Sequence, residues 1–349
     1  MVSDQPTMLR TQRPLSAPEI AQVLAPLGTV IGHRILSGGT FSAVQAADLD
    51  NGTTVVLKTS VPESVLADGR TPLLTYERDM LATERDMLMA LADVAGVPSP
   101  RVILSDFTRS VANVDILVTE HVSGVPWDTV EGSMSAKANA HAWEQVGAIM
   151  AAIQSVKGAV FGYPAQGFAL GAATWPGFVA SLIDAAIHDA EQWGVDIEPD
   201  RLIDALAVSA QALAAVTVPT LVHNDLWPGN VLLNPESGSV HGVVDFERAL
   251  FGDPLQDFCG ALSMTTGAIA EPLLTGYQRA GGTVPLDAKA ATATGLDEAA
   301  DARLTLYRLW SMSVQLTEIV PRGFRGAWVA DHRTTINANR KALFAQLGV

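Results

Sequence analysis

The chain has 349 residues, 48% of them hydrophobic and only 17% charged, with a formal net charge of −15 at neutral pH. That balance excludes a disordered chain, which cannot bury enough apolar surface to offset its ordering entropy. It argues equally against a duplex nucleic-acid binder, which needs a basic footprint. The length exceeds what one hydrophobic core usually organises, so two lobes are expected.

Residues 1–14 read as a loose tail. Ser16-Ala17-Pro18-Glu19 has the spacing of a capping box and predicts a short helix running to Leu27. The pattern then turns β-like, with strands expected at Ile31–Leu36, Ala43–Leu49 and Thr53–Lys58. Asn51-Gly52 supplies the turn between the last two. A helix is expected from Leu73 to Val94, followed by strands at Val102–Leu104 and Ile116–His121. Helices at Ser135–Val156, Phe178–Trp193 and Asp200–Val216 precede Pro219. Others at Leu255–Met264, Ala299–Ile319 and Thr334–Leu347 close the chain. A β-rich first third and a helical remainder predict an α+β, two-lobed molecule joined near Glu120–Gly124. The boundaries are 15–121 for the first lobe and 122–349 for the second.

The single cysteine, Cys259, has no internal disulfide partner and sits in an apolar run as a packing residue. Met1–Leu15 is polar and unlike a secretory leader. No stretch reaches the roughly 18 apolar residues needed to span a bilayer. A cytoplasmic location without a membrane partner is the expectation; oligomeric state is left open.

The chemistry is concentrated between Leu221 and Pro254, which reads LVHNDLWPGNVLLNPESGSVHGVVDFERALFGDP. Asp225 stands where a carboxylate takes a proton. Asn230 and Asp245 stand where an amide oxygen and a second carboxylate hold a metal. Such a set suits phosphoryl transfer, where catalysis is mostly positioning and charge neutralisation. Asp and Asn also favour turns, but a turn leaves the second acid unexplained. His223 reads as a hydrogen-bonded scaffold. Glu247 either reaches a second metal or is a surface or ion-paired residue beside Arg248. Asp253 and Asp257 read as architecture, Asp253 capping the helix that Pro254 opens.

His223-Asn224-Asp225-Leu226-Trp227-Pro228-Gly229-Asn230 resembles the H-G-D-x-x-x-x-N motif of the aminoglycoside phosphotransferase and choline kinase-like family. Val244-Asp245 with Gly252-Asp253-Pro254 and Asp257 resembles its second motif. Asn224 departs from the usual glycine. The resemblance covers most of residues 30–320 and implies a bilobal protein-kinase-like fold. By that resemblance Asp225 is the catalytic base, and Asn230 and Asp245 bind Mg2+, a cation that prefers oxygen ligands. The short stretch from Asp245 to Pro254 leaves no room for the activation segment of a protein kinase.

Ser37, Gly38, Gly39 and Thr40, between two strands, read either as a phosphate-covering loop or as a plain Gly-Gly hairpin. Lys58 closes Val55-Val56-Leu57-Lys58, where the family carries its phosphate-pairing lysine. Its carboxylate partner comes from a repeat, Glu77-Arg78-Asp79-Met80-Leu81 and Glu84-Arg85-Asp86-Met87-Leu88. On one helix the two glutamates would share a face about 10 Å apart. Glu84 fits the family spacing better, so Glu77→Gln is expected to be close to neutral. Glu120 C=O and Val122 N–H, in the segment resembling the family's hinge, would read the purine of ATP or GTP.

The acceptor site is expected in the helical lobe. Asp196, Glu198, Asp200, Asp297, Glu298 and Asp301 are its candidate acids, and Trp175, Trp193, Trp310 and Trp328 its candidate walls. Core packing is the simpler role for those indoles. The leading expectation is a kinase of an antibiotic-like hydroxyl compound. A metabolic kinase for a sugar, amino alcohol or fructosamine-like compound is the alternative. A nucleotide-binding pseudokinase is a third reading, against which intact Lys58, Asp225, Asn230 and Asp245 count.

Overall fold

The computed structural model describes residues 12–36, 41–61, 71–286, 292 and 294–349. Ser37, Gly38, Gly39 and Thr40 lie outside the described residues. Helix α1 (Ala17–Leu24) opens with the anticipated box, Ser16 donating through both its backbone N–H and its hydroxyl to Glu19 at 2.8 Å. Strands β1 (Val30–Leu36), β2 (Ala43–Leu49), β3 (Thr54–Ser60), β4 (Val102–Asp106) and β5 (Asp115–Glu120) form an antiparallel sheet ordered β1-β2-β3-β5-β4. Asn51-Gly52 turns β2 into β3, with Gly52 at φ +83° and Asn51 accepting from Thr53 N–H. Val55 and Leu57 of β3 pack inward with Ile20, Leu24 and Ile116. Side chains alternate along a strand, so Lys58 leaves by the other face. It sits within β3, between Val44 and Leu117, instead of ending the strand.

Helix α2 (Met80–Leu91) starts well after the expected Leu73. The tertiary structure claims the residues before it. Thr75 donates through its N–H and hydroxyl to Asp189 at 2.8 and 2.7 Å, and Asp79 takes a left-handed backbone. Glu77 therefore precedes the helix and shares no helical face with Glu84. It accepts from Leu74 N–H at 2.9 Å and pairs, fully buried, with Arg322. The expectation that Glu77 is neutral to substitution is thus overturned.

The remainder is mostly helical. Short strand β6 (Val125–Pro126) leads into α3 (Ala136–Ile153), then β7 (Phe161–Gly162), the brief α4 (Ala165–Phe168) and β8 (Gly171–Ala172). Helices α5 (Trp175–Trp193) and α6 (Pro199–Ala214) follow, and then β9 (Thr220–Val222), β10 (Val231–Leu233), β11 (Val240–Val243) and β12 (Leu250–Gly252). Those strands form two small sheets, β11-β10-β6 and β8-β7-β12-β9, that frame the motif segment. Helices α7 (Leu255–Ala261), α8 (Glu271–Arg279), α9 (Glu298–Arg322) and α10 (Ala327–Leu347) complete the chain. No helix is expected from the sequence at α8. Helix α8 packs on α3 at glycine contacts, where a Cβ on Gly276 would lie 1.8 Å from the Glu144 carbonyl oxygen. Helix α10 begins earlier than expected and α7 ends sooner.

One apolar cluster lies in the sheet region and a larger one fills the helical region, which also receives Met87, Leu88 and Leu91 of α2. Among the described residues no helix is long and apolar enough to cross a membrane.

Glu77→Gln should cost about 3 kcal/mol of unfolding free energy, because a broken buried pair leaves the Arg322 charge poorly compensated. Urea unfolding measures it; a change below about 0.5 kcal/mol, usual at the surface, would show the pair to be dispensable.

Candidate active site

The loop between β9 and β10 carries His223, Asn224, Asp225 and Asn230. His223 is fully buried, packs against Phe246 with ring centroids 4.3 Å apart and the planes tilted by 44°, and shares a hydrogen with the Val244 carbonyl at 3.1 Å. A carbonyl can only accept, so Nε2 carries the proton. Burial holds this imidazole down at about 4, so it stays neutral. Asn224 adopts φ +63°, a conformation that suits the family's glycine and that asparagine tolerates, which accounts for the departure. Its N–H donates to Asp257 Oδ1 at 2.9 Å, while Gln154 donates to Oδ2 at 2.8 Å. Asp257 thus ties α7 to the loop. Asp253 is similarly architectural, accepting from Arg303 and Tyr307 at 2.8 Å.

Asn230 donates through Nδ2 to the Asp225 carbonyl at 2.7 Å and to its carboxylate at 3.2 Å. Burial pushes the Asp225 carboxyl up to about 7, with Arg248 opposing the rise. The Arg248 guanidinium is itself fixed by Glu318 at 3.0 Å.

Across the cleft, Lys58 Nζ donates to Glu84 at 2.7 and 2.8 Å and to Asp245 at 2.7 Å. The choice of Glu84 over Glu77 is therefore the one this geometry realises. Burial works against every charge here, and the resolution differs by group. Glu84 stays above the ordinary carboxylate range through burial, despite Lys58. Asp245 is also buried, yet Lys58 holds it below that range. Lys58 is raised by its carboxylate neighbours against its own desolvation.

Asp245 sits at φ +73°, at the entrance to the 3-10 turn Phe246–Arg248 that packs along α2. That turn brings in Glu247, the residue the sequence left undecided. It is not a surface residue: it is buried, accepts from the Ser42 hydroxyl at 3.1 Å and is pushed well up by burial and by Asp245. Oxygens of Glu84, Asp245 and Glu247 all lie within 4.8 Å of one another. An all-oxygen donor set suits a hard divalent cation such as Mg2+. Asn230, the other expected ligand, lies on the Asp225 loop, and its backbone carbonyl accepts from Val244 N–H, next to Asp245.

Glu120 ends β5, and Val122 follows in the segment leading to β6. There Gly124, at φ +132°, lies against the Leu232–Leu233 backbone, where a Cβ would approach to 3.0 Å.

A cavity of about 410 Å³ opens on Asp225 between this loop and helices α7, α9 and α10. Trp310 and Trp328 line it; Trp175 is instead wholly buried and Trp193 belongs to the core, as their simpler role required. None of the expected acids reaches the cavity. Asp297 caps α9, Asp301 binds Thr294, and Asp196 accepts from Glu198 N–H. Glu198 pairs with Arg201, Asp200 lies in the first turn of α6, and Glu298 lines a separate depression with Asp301. Helix termini and turns use these acids, which composition alone could not reveal.

The pattern of the Phosphotransferase enzyme family matches residues 34–293. The chain belongs to that family. No curated protein gives a match. Among solved structures, a thermostable mutant of aminoglycoside phosphotransferase APH(4)-Ia in ternary complex with AMP-PNP and hygromycin B is 20% identical. It aligns over 93% of this chain and 97% of its own, with a TM-score of 0.63. A Thermobifida fusca YX-ER1 protein assigned as a fructosamine-3-kinase is also 20% identical, over 95% and 100%, with a TM-score of 0.65. ADP-bound aminoglycoside phosphotransferase APH(2'')-Ib is 14% identical over 95% and 99%, with a TM-score of 0.54. These likenesses establish the kinase-like fold. The phosphotransferase has an antiparallel sheet at its N-terminal end and helices beyond.

Lys58→Met and Glu84→Gln should each lower stability, and the double variant should lose less than the two losses added, by about 0.5–3 kcal/mol. Denaturant unfolding of the four proteins gives the coupling; strict additivity would mean that the pair does not act as a unit.

Proposed function

We propose that this phosphotransferase moves the γ-phosphate of ATP or GTP onto a hydroxyl of a small, antibiotic-like acceptor and thereby confers resistance in the cytoplasm. The observation that carries the reading is the position of Asp225, which faces the cavity on one side and has the carboxylate cluster around Lys58 across the cleft. The neighbour crystallised with AMP-PNP and hygromycin B supports a nucleotide on one side and a hydroxyl compound on the other. The neighbour assigned as a fructosamine kinase supports the second reading, a metabolic kinase. Phosphorylation assays over antibiotics and amine-bearing sugars, with both nucleotides, would decide between them.

In this reading residues 15–121 form the nucleotide lobe and 122–349 the catalytic and acceptor lobe. Glu120 C=O and Val122 N–H read the base, and Ser37, Gly38, Gly39 and Thr40 cover the phosphates. Lys58, aligned by Glu84, pairs with phosphate oxygens. His223 holds the loop through Val244. Asp225 accepts the hydroxyl proton, and a base with a pKa near the working pH is well matched to that task. Asp245 and Asn230 hold Mg2+, and Glu247 lies close enough to Asp245 to share the ion with it. The ion would neutralise charge on the nucleotide phosphates.

Asp225→Asn should lower turnover by about 10²–10⁴ while leaving nucleotide affinity nearly unchanged. In the wild type, kcat/KM should fall as pH drops through about 7, because only ionised Asp225 accepts a proton. Near-normal turnover in the variant, or a flat profile across that range, would remove Asp225 from the role.

Asp245→Ala should weaken Mg2+-dependent nucleotide binding more than Asn230→Ala, since it deletes a full charge. Magnesium titrations followed by calorimetry test this order. Equal losses, or unchanged metal dependence in the Asp245 variant, would exclude it.

A further inference from the structure

The cavity beside Asp225 carries information about its ligand that the motifs do not. It is within the size range of sites that enclose a drug-sized molecule. Among the described residues that line it, Asp225 is the only carboxylate, and it faces the fixed positive charge of Arg248. The acids just behind the lining are already engaged: Glu318 by Arg248 at 3.0 Å and the Tyr76 hydroxyl at 2.8 Å, Asp253 by Arg303 and Tyr307 at 2.8 Å, and Asp257 by Asn224 N–H and Gln154. Burial lowers the His332 imidazole, against the nearby charge of Glu318. The chain's large negative charge therefore does not extend into the cavity. A ligand with several ammonium groups would find one carboxylate there, itself beside a guanidinium. Desolvating unpaired charge is costly.

The walls are suited to something else. Tyr163, Trp227, Tyr307, Trp310, Phe324 and Trp328 all contribute. Trp227 and Trp328 leave 37% and 49% of their surface exposed. Large exposed indoles at the rim of a cavity offer flat apolar faces whose covering is favourable. Trp328 is braced by Phe324 at 5.5 Å and by His332 at 5.8 Å. Trp227 lies against Gly229, where a Cβ would come within 2.3 Å of the ring, so the glycine permits this indole position. Polar recognition comes from neutral groups. Asn224, Ser263, Ser311 and Gln315 line the cavity with neutral donors and acceptors.

We infer that the cavity takes an uncharged alcohol bearing a flat ring, held by indole stacking and neutral hydrogen bonds, in preference to a polycation. The inference rests on the kinase reading for what happens to that alcohol, and on the cavity alone for which alcohol binds.

The test is calorimetric binding of uridine, chloramphenicol and 4-nitrophenyl β-glucoside, against kanamycin and hygromycin B, to the full-length protein at low and high salt. At least one neutral ring compound should bind about tenfold or more tighter than either polycation and keep its affinity in salt, since stacking is unscreened. Trp328→Ala should weaken that compound by about tenfold without moving the Tm or the nucleotide affinity. Tighter, salt-sensitive binding of the polycations would overturn the inference. So would failure of all three neutral compounds, or an unchanged affinity in the Trp328 variant. A neutral compound that binds as described but is never phosphorylated with Mg2+ and ATP or GTP would instead defeat the kinase reading alone.

Discussion

Lys58 Nζ is bonded to Glu84 of α2 and to Asp245 of the β11–β12 connection, both at 2.7 Å. This one ammonium joins the sheet, the helix that crosses it and the segment that carries the carboxylate cluster. Each of the three groups is costly to bury alone, and none is tolerable there without the others. The positions of β3, α2 and the Phe246–Arg248 turn are consequently interdependent. The left-handed backbone at Asp245 is a strained conformation of the kind that persists only where its surroundings over-determine it. Here Lys58 and the packing of the turn along α2 supply that constraint.

A second buried network backs the first. Arg248 and Arg322 converge on Glu318, Arg322 also holds Glu77, and Tyr76 donates to Glu318. This network links the residues preceding α2 to the last turns of α9. Helix α2 is thus fixed at both ends of its approach, by charge before it starts and by Lys58 along its length. Arg248 belongs to the network through its guanidinium, and its backbone carbonyl accepts from Asn224. The loop bearing Asp225 is thereby held relative to α9 and the cavity.

Much of the site was legible in the sequence because its determinants are local. The spacing from His223 to Asn230 and from Asp245 to Asp257 is set by a loop, a hairpin and a helix start, all short-range. Lys58 and Glu84 were recoverable through the resemblance to the family, which carries a lysine at the end of such a strand and a glutamate at that spacing on the next helix. Glu77 was misplaced because its partner, Arg322, lies 245 residues away, and nothing near it in sequence announces a buried cation. Helix α2 was drawn too long for the same reason: Asp189 and Arg322 divert residues that helical propensity would have claimed. Glu247 was undecided because only the turn after Asp245 determines whether it faces solvent or the cluster. The acids nominated for the acceptor site were chosen by charge alone, and structural roles at helix ends and turns absorbed them. The cavity's aromatic walls come from segments as distant as Trp227 and Trp328, joined only by the packing of α9 and α10 around the loop.

The two sides of Asp225 differ in kind, and that difference explains its own chemistry. On one side Glu84, Asp245 and Glu247 concentrate negative charge, which favours cations and repels a further carboxylate. On the other side the aromatic cavity withdraws water, and Arg248 is the cation it brings close to Asp225. Desolvation is the largest influence on Asp225, and Asp245 adds to it; Arg248 offsets part of the rise. Among the acids, burial and then Asp245 push Glu247 well above the ordinary carboxylate range. A carboxylate placed in open solvent would keep that ordinary range. At the boundary between the two environments, its affinity for a proton settles close to neutrality, where gain and loss of that proton are both accessible.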